Sequence, residues 1–142
     1  MAINHIDKAI YNILYNDSTI DGIVNEIDEN NKAIYLYHAD NPAYPSIVIE
    51  SSEDPEFKTM DNIANHFRTQ MDIICLAQTL DNVVSLSLAV KSALRGYTGT
   101  KGSIQIVRTH FINDYSIPNL DPVESRTLFG RNLTIEVYYK TS

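Results

Sequence analysis

The chain has very little cysteine. Cys75 stands alone among the 142 residues, so an internal disulfide framework is excluded. It falls within a predicted strand, on the side that faces the core, where a thiol packs as a small hydrophobe. No apolar run reaches the ~18 residues that a membrane helix needs, and no positively charged segment followed by an apolar one opens the chain. We therefore expect a soluble protein that folds in the cytoplasm of the cell that makes it and has no membrane partner.

Basic residues are scarce relative to acidic ones. Eleven Lys and Arg stand against 18 Asp and Glu, which gives a formal net charge of −7. Tight nonspecific binding to nucleic acid needs clustered Lys and Arg to displace counterions from phosphates, so the composition disfavours this function. DNA can still pass close to such a protein, because an acidic wall repels phosphates and prevents sticking.

Motifs for catalysis, metal binding and phosphate binding are missing as well. The four histidines lie in four separate segments, without the short pair spacing of a zinc site: His5, His38, His66 and His110. The glycine-rich stretch 96–102 fails as a phosphate loop because Lys101 precedes Gly102 and a predicted strand follows. The acidic run around Pro55 is typical of a solvated loop. The sequence therefore predicts no catalytic residue, no cofactor and no metal, and indicates that the protein is not an enzyme.

The stretch from 66 to 96 predicts a strand, a short turn and a helix, and we take it as the nucleus of the core. Alternate residues share one face of the strand: Phe67, Thr69, Met71, Ile73, Cys75 and Ala77. Helical spacing follows over 83–94 and ends at Gly96, since glycine tolerates the left-handed backbone that closes many helices. The apolar residues of this helix form one stripe and its neighbours: Val83, Leu86 and Val90, with Val84, Leu88 and Ala89 beside them.

The rest of the chain predicts further helices and strands. Helical spacing covers 3–16 and 17–27, and strands are predicted at 34–37, 46–50, 103–112 and 126–140. Connectors are predicted at 28–32 and 96–102, and long loops at 51–62 and 113–125. We expect residues 46–51 to pair antiparallel with 67–76. The prediction is a single domain over 1–142 of the α+β class, with an antiparallel-dominated sheet of four to five strands and two or three helices packed on one face.

The order of these segments resembles the tail-completion family of long-tailed bacteriophages, whose members act as tail terminators or tail-to-head joining proteins. The matching stretches run collinearly along the chain: AIYNIL at 9–14, IDGIV at 20–24, IY at 34–35, NPAYPSIVI at 41–49, RTQMDI at 68–73, ALRGYTG at 93–99 and RNLTIEVYY at 131–139. The proline-containing stretch resembles the family's entry into a strand, and the last one its closing strand.

The resemblance implies a structural role in the virion, at the tail or neck, after assembly in the host cytoplasm. Several copies, six in the family's usual arrangement, would form a ring that caps the tail tube, ends its growth and joins tail to head. The implied partners are other copies of the chain, the tail-tube protein and a neck or head-completion protein. DNA would pass through an acidic lumen without specific binding. A closed ring of identical copies needs heterologous contacts, in which one patch meets a different patch on the neighbour.

The two long loops and the start of the last strand are the candidate contact regions. The candidate interface residues are Glu53, Asp54, Glu56, Phe57, Tyr115, Ile117, Leu120, Arg126, Phe129 and Arg131. Three other functions stay open: a neck or head-completion (connector) protein of the same virion, a small ligand- or peptide-binding α+β module, and an enzyme. A binding module would need one deep apolar pocket, and an enzyme would need titratable side chains that converge in a cleft.

Overall fold

The fold is built on the strand-turn-helix unit that the sequence predicts at its centre. The structure is a computed structural model, and it describes residues 3–24, 26–28, 31–37, 43–51, 66–117 and 128–141. The helices are α1 (Ile6–Tyr15), α2 (Ser18–Asp21) and α3 (Leu80–Leu94). The strands are β1 (Glu26–Asp28), β2 (Asn31–Lys32), β3 (Ile34–Leu36), β4 (Ser46–Ser51), β5 (His66–Ala77), β6 (Gly99–Lys101), β7 (Ile104–Ile117) and β8 (Phe129–Thr141).

Six of these strands form one mixed sheet in the order β3-β4-β5-β8-β7-β6, and β1 and β2 form a separate two-stranded ribbon. Only β3 and β4 run parallel within the six-stranded sheet, and its other neighbouring pairs are antiparallel. The α+β class, the antiparallel majority and the pairing of β4 with β5 are confirmed. The prediction of four to five strands is too low, because residues 99–101, expected as part of a connector, pair with the start of β7.

Strand β5 lies in the middle of the sheet and follows the predicted alternation. It pairs with β4 on one side, and with β8 on the other from His66 opposite Lys140 to Ala77 opposite Phe129. One face of β5 is buried from Thr69 to Ala77, whereas the intervening residues are half-buried or exposed. This alternation places the core on a single face of the strand.

Helices α1 and α3 supply the other side of the core. Helix α3 packs against β5 and β8, and α1 packs against β3 and β4. The hydroxyl of Thr79 accepts a hydrogen bond of 3.2 Å from the Asn82 N–H, so the cap starts α3 at Leu80, earlier than the spacing alone predicts. The core side chains from α3 are Val83, Leu86, Ala89, Val90 and Leu94.

The second predicted helix is shorter than the pattern indicates. The carboxylate of Asp17 accepts hydrogen bonds from the N–H groups of Thr19 and Ile20, and α2 ends at Asp21, before Gly22. Residues 26–28 belong to β1 instead, where they pair with β2 across the predicted polar connector. A glycine inside a short helix costs about 1 kcal/mol relative to alanine, which favours the early end.

Strand β7 is longer than predicted, and this corrects part of the loop expected at 113–125. Residues 113–117 continue the strand, with Tyr115 opposite Asn132 and Ile117 opposite Gly130. Asn and Asp have low strand propensity, but pairing with β8 overrides it here. The rest of that loop and nearly all of the loop at 51–62 lie outside the described residues. Among the described helices, none has the length and apolarity to cross a membrane.

Candidate interaction surface

The face of the sheet opposite the helices carries most of the polar chemistry, and we call it the open face. It consists of alternate residues of three neighbouring strands: Arg68, Gln70 and Asp72 of β5, Thr134, Glu136, Tyr138 and Lys140 of β8, and Arg108 and His110 of β7. All of these side chains are half-buried or exposed. The residues that alternate with them face the helices, so the two faces of the sheet have different roles.

Charges of opposite sign occupy different parts of the open face. Tyr138 has Arg68 opposite it on β5 and Arg108 opposite it on β7, and Lys140 lies two residues further along β8. We call Arg68, Arg108 and Lys140 the cationic band. On the other side of Tyr138, the carboxylates of Glu136 and Asp72 lie in successive rows.

A hydrogen-bonded aromatic group separates these two regions. The Tyr138 hydroxyl donates to Glu136 Oε1 at 2.8 Å, and His110 Nε2 lies 3.3 Å from the same oxygen. The rings of His110 and Tyr138 stack with centroids 6.1 Å apart, and the guanidinium carbon of Arg108 lies 5.8 Å from the Tyr138 ring centroid. A cation over a tyrosine ring is attracted by the ring quadrupole, so Arg108 is held beside Tyr138 while it stays exposed.

A second charged cluster ties α3 to the sheet on the helix side. Asp114 of β7 accepts hydrogen bonds from Lys91 of α3 and, at 2.6 Å, from Arg131 Nε of β8. Burial alone would raise the pKa of Asp114, but the hydrogen bonds and positive charges of Lys91 and Arg131 outweigh it and lower the pKa below its usual value. Arg131 also donates to the Ser116 hydroxyl at 3.3 Å. The cluster therefore acts as a structural clamp between three elements.

Two ionisable side chains, the carboxylate of Asp7 and the thiol of Cys75, are buried. Asp7 is 3% exposed and accepts a 2.5 Å hydrogen bond from the Ser51 hydroxyl, which links α1 to β4. Its other carboxylate oxygen lies 3.6 Å from His5 Nδ1. Cys75 is fully buried, and burial raises the pKa of its thiol to about 12, so the thiolate that reacts as a nucleophile is not formed at neutral pH. Within the described ranges, no three His, Cys, Asp or Glu residues are placed to hold a metal ion.

Four of the ten predicted interface residues lie together at one end of the β7–β8 pair. Tyr115 is 46% exposed on β7, and its hydroxyl accepts a 2.7 Å hydrogen bond from Asn132. Ile117 is half-buried at the end of β7, Phe129 packs partly against the core, and Arg131 belongs to the Asp114 clamp. The other six residues lie outside the described part of the chain: Glu53, Asp54, Glu56, Phe57, Leu120 and Arg126.

Sequence reasoning missed two surfaces that the structure presents. Leu80, Val84 and Leu88 follow one another at intervals of four and form an exposed apolar stripe on α3. The sequence shows this pattern, because Val84 and Leu88 lie beside the predicted stripe of Val83, Leu86 and Val90 at helical spacing. The cationic band was missed because it joins residues of three strands. The alternation predicts the face of each residue, but it does not predict the cross-strand register that brings Arg68 and Arg108 to either side of Tyr138.

Comparison with known proteins gives a likeness of fold. No protein-family model matches the chain, and no curated protein matches it. The fold is similar to that of a chain in a solved structure described as the virion of a native gene transfer agent particle. The TM-score is 0.68 at 14% sequence identity, over 95% of this chain and 94% of that chain. The resemblance to the tail-completion family stays a prediction from the sequence.

Proposed function

We propose that this chain is a structural protein of a phage-like virion, and that copies of it, six by the resemblance, form a ring that caps the tail tube. The ring ends tube growth and joins tail to head, after assembly in the host cytoplasm. The observation that supports this most is the likeness of fold to a chain of a gene transfer agent virion, which extends over nearly the full length of both chains. The collinear sequence resemblance supports the tail-completion role in particular.

The long strand pairing and the attached helix α3 make this a rigid subunit, as the proposed ring requires. Strands β5, β8 and β7 are paired along most of their lengths, and α3 is fixed to them by the core and by the Lys91–Asp114–Arg131 clamp. Side chains that project from such a ladder keep their relative positions, so the contacts between copies can be specific. The exposed apolar stripe of α3 and the exposed Val107, Ile112 and Tyr115 of β7 offer surface for these contacts.

The net charge of −7 suits the proposed lumen. DNA that moves through a ring must be repelled slightly rather than bound, and an excess of carboxylates provides this. The potential of the inner wall of an assembled ring would test the point. A basic inner wall would contradict it.

Negative-stain imaging of the purified protein, alone and mixed with tail tubes, tests the function. We expect rings, and tubes of fixed length that carry a cap at one end. A protein that stays monomeric at high concentration and leaves the tubes growing would refute the proposal. Binding to a portal-side adaptor without binding to the tube would instead favour a neck or connector protein of the same virion.

A further inference from the structure

The cationic band gathers on one face three charged side chains that form no ion pair among the described residues. Among the other described basic side chains, Lys32 pairs with Asp21, and Lys91 and Arg131 pair with Asp114, whereas Lys8, Arg95 and Lys101 stand outside the ion pairs of the described residues and are scattered over α1, the end of α3 and β6. Within the described residues, Arg68, Arg108 and Lys140 form no ion pair. They concentrate three of the eleven basic residues on one end of the open face, in a protein with a net charge of −7.

The geometry of the sheet makes the band a compact and rigid target. Arg68 and Arg108 flank the same β8 residue, so their Cα atoms are separated by two strand spacings, about 10 Å. Lys140 lies in the next row of the same face, about 7 Å along the strand. The ring of Tyr138 supports Arg108, and the Glu136 carboxylate fixes that ring through the tyrosine hydroxyl. Three cations at these separations can each meet a carboxylate of one extended or looped segment.

The chain itself contains a segment of matching charge. Residues 50–61 carry five acidic residues, Glu50, Glu53, Asp54, Glu56 and Asp61, against the single Lys58. A ring of identical copies needs two different complementary patches on each copy. Nucleic acid fits the band less well, because three cations neutralise few phosphates and the rest of the chain is acidic.

We infer that the cationic band binds the acidic segment 50–61 of a second copy of this chain, and that this contact links neighbouring copies in the ring. The inference rests on the proposed function, since it needs copies that associate. It adds which two surfaces form the contact: the cationic band of one copy meets the acidic segment 50–61 of the next copy around the ring.

Charge reversal with cross-complementation tests the contact. The band variant carries R68E and R108E, and the segment variant carries E53K, D54K and E56K. Each variant alone opposes like charges, so its apparent dissociation constant for self-association should rise roughly tenfold or more, as measured by sedimentation velocity. In an equimolar mixture the two variants can alternate around the ring. The reversed band of one variant then meets the reversed segment of the other, and the unchanged band meets the unchanged segment. Every contact again joins opposite charges, so association should return. Both variants are checked for folding by circular dichroism and urea unfolding, and R68Q/R108Q replaces the band variant if the latter does not fold.

The matched control is K8E/R95E, which makes the same change in charge outside the band. Lys8 lies on α1, and Arg95 is exposed at the end of α3. This control should associate like the wild type. Wild-type association should also weaken between low salt and roughly 0.5 M NaCl, where exposed charges are screened.

The outcomes separate this inference from the proposed function. If the wild type forms rings or caps tubes but the band variant does so equally well, or the mixture fails to recover, the inference is wrong and the proposed function stands. A wild type that neither associates nor caps tubes refutes both. Binding of a short labelled DNA duplex that is lost in the band variant, with self-association unchanged, would overturn the inference in favour of a nucleic-acid contact.

Discussion

Replacing Asp114 with asparagine should destabilise the protein measurably. In the wild type one carboxylate accepts charge-assisted hydrogen bonds from Lys91 and Arg131, with side chains that are 21–32% exposed. The neutral amide of the variant would leave these two cations facing each other without a counter-charge. Removing one partner of a fully buried pair costs about 3–5 kcal/mol. Because solvent reaches this cluster and screens it, we expect D114N to lower the free energy of unfolding by about 1–3 kcal/mol at pH 7.

The pH dependence gives an independent check on the same carboxylate. Because the pKa of Asp114 is lower in the folded protein than its ordinary value of 3.8, ionised Asp114 favours folding. Its contribution is complete above pH 3.8 and is lost as the pH falls through the lowered pKa of the folded state. The difference in unfolding free energy between wild type and D114N should therefore be constant near neutral pH and shrink below pH 3.8.

Urea unfolding followed by circular dichroism measures both quantities. The control is D72N, which makes the same chemical change on the open face, where Asp72 accepts a 2.7 Å hydrogen bond from the Thr134 hydroxyl. We expect D72N to cost less than about 1 kcal/mol, because the asparagine amide oxygen can still accept the hydrogen bond from the Thr134 hydroxyl. Equal effects of D114N and D72N at pH 7, or a gap for D114N that persists unchanged at pH 2.5, would refute the clamp.

Three further predictions concern the core and the turns. L86A should cost about 2–5 kcal/mol because Leu86 is fully buried, whereas L88A on the exposed side of the same helix should change stability by less than about 0.5 kcal/mol in urea unfolding. G102A should lower the melting temperature, since Gly102 has φ +58° and an added Cβ would overlap the Ile3 carbonyl oxygen; a melting temperature equal to that of the wild type would contradict this. The Cys75 thiol, with a pKa of about 12, should react with a thiol reagent at pH 8 only after unfolding, and rapid labelling of the native protein would count against its burial.

The central unit of the fold could be predicted because its signals are local. Alternation along β5 reflects the pleat of one strand, and the buried stripe of α3 reflects the spacing of residues within one helix. Neither feature requires knowledge of a distant partner. The antiparallel pairing of β4 with β5 could also be predicted, because the two strands follow one another along the chain.

The parts that sequence reasoning missed depend on distant partners. The polar end of β7 becomes a strand because β8 supplies a ladder and because Asn132 and Arg131 bind Tyr115 and Asp114. The three residues of β6 become a strand because the start of β7 folds back on them. Local propensity favours loops at both places, so the correct assignment needed the tertiary pairing. The cationic band has the same origin, because the register between strands decides which charges meet.

The two faces of the sheet also allow the proposed assembly to be tested separately from stability. Residues on the helix side, such as Met71, Ile73 and Ile135, are fully buried, so almost any substitution there lowers stability. Arg68 and Arg108 lie on the open face of the same sheet, where solvent surrounds them. Their replacement should leave the unfolding free energy nearly unchanged and alter only contacts with other molecules. Charge reversal on the open face is therefore a direct test of assembly, because a loss of association there cannot be attributed to a weakened core.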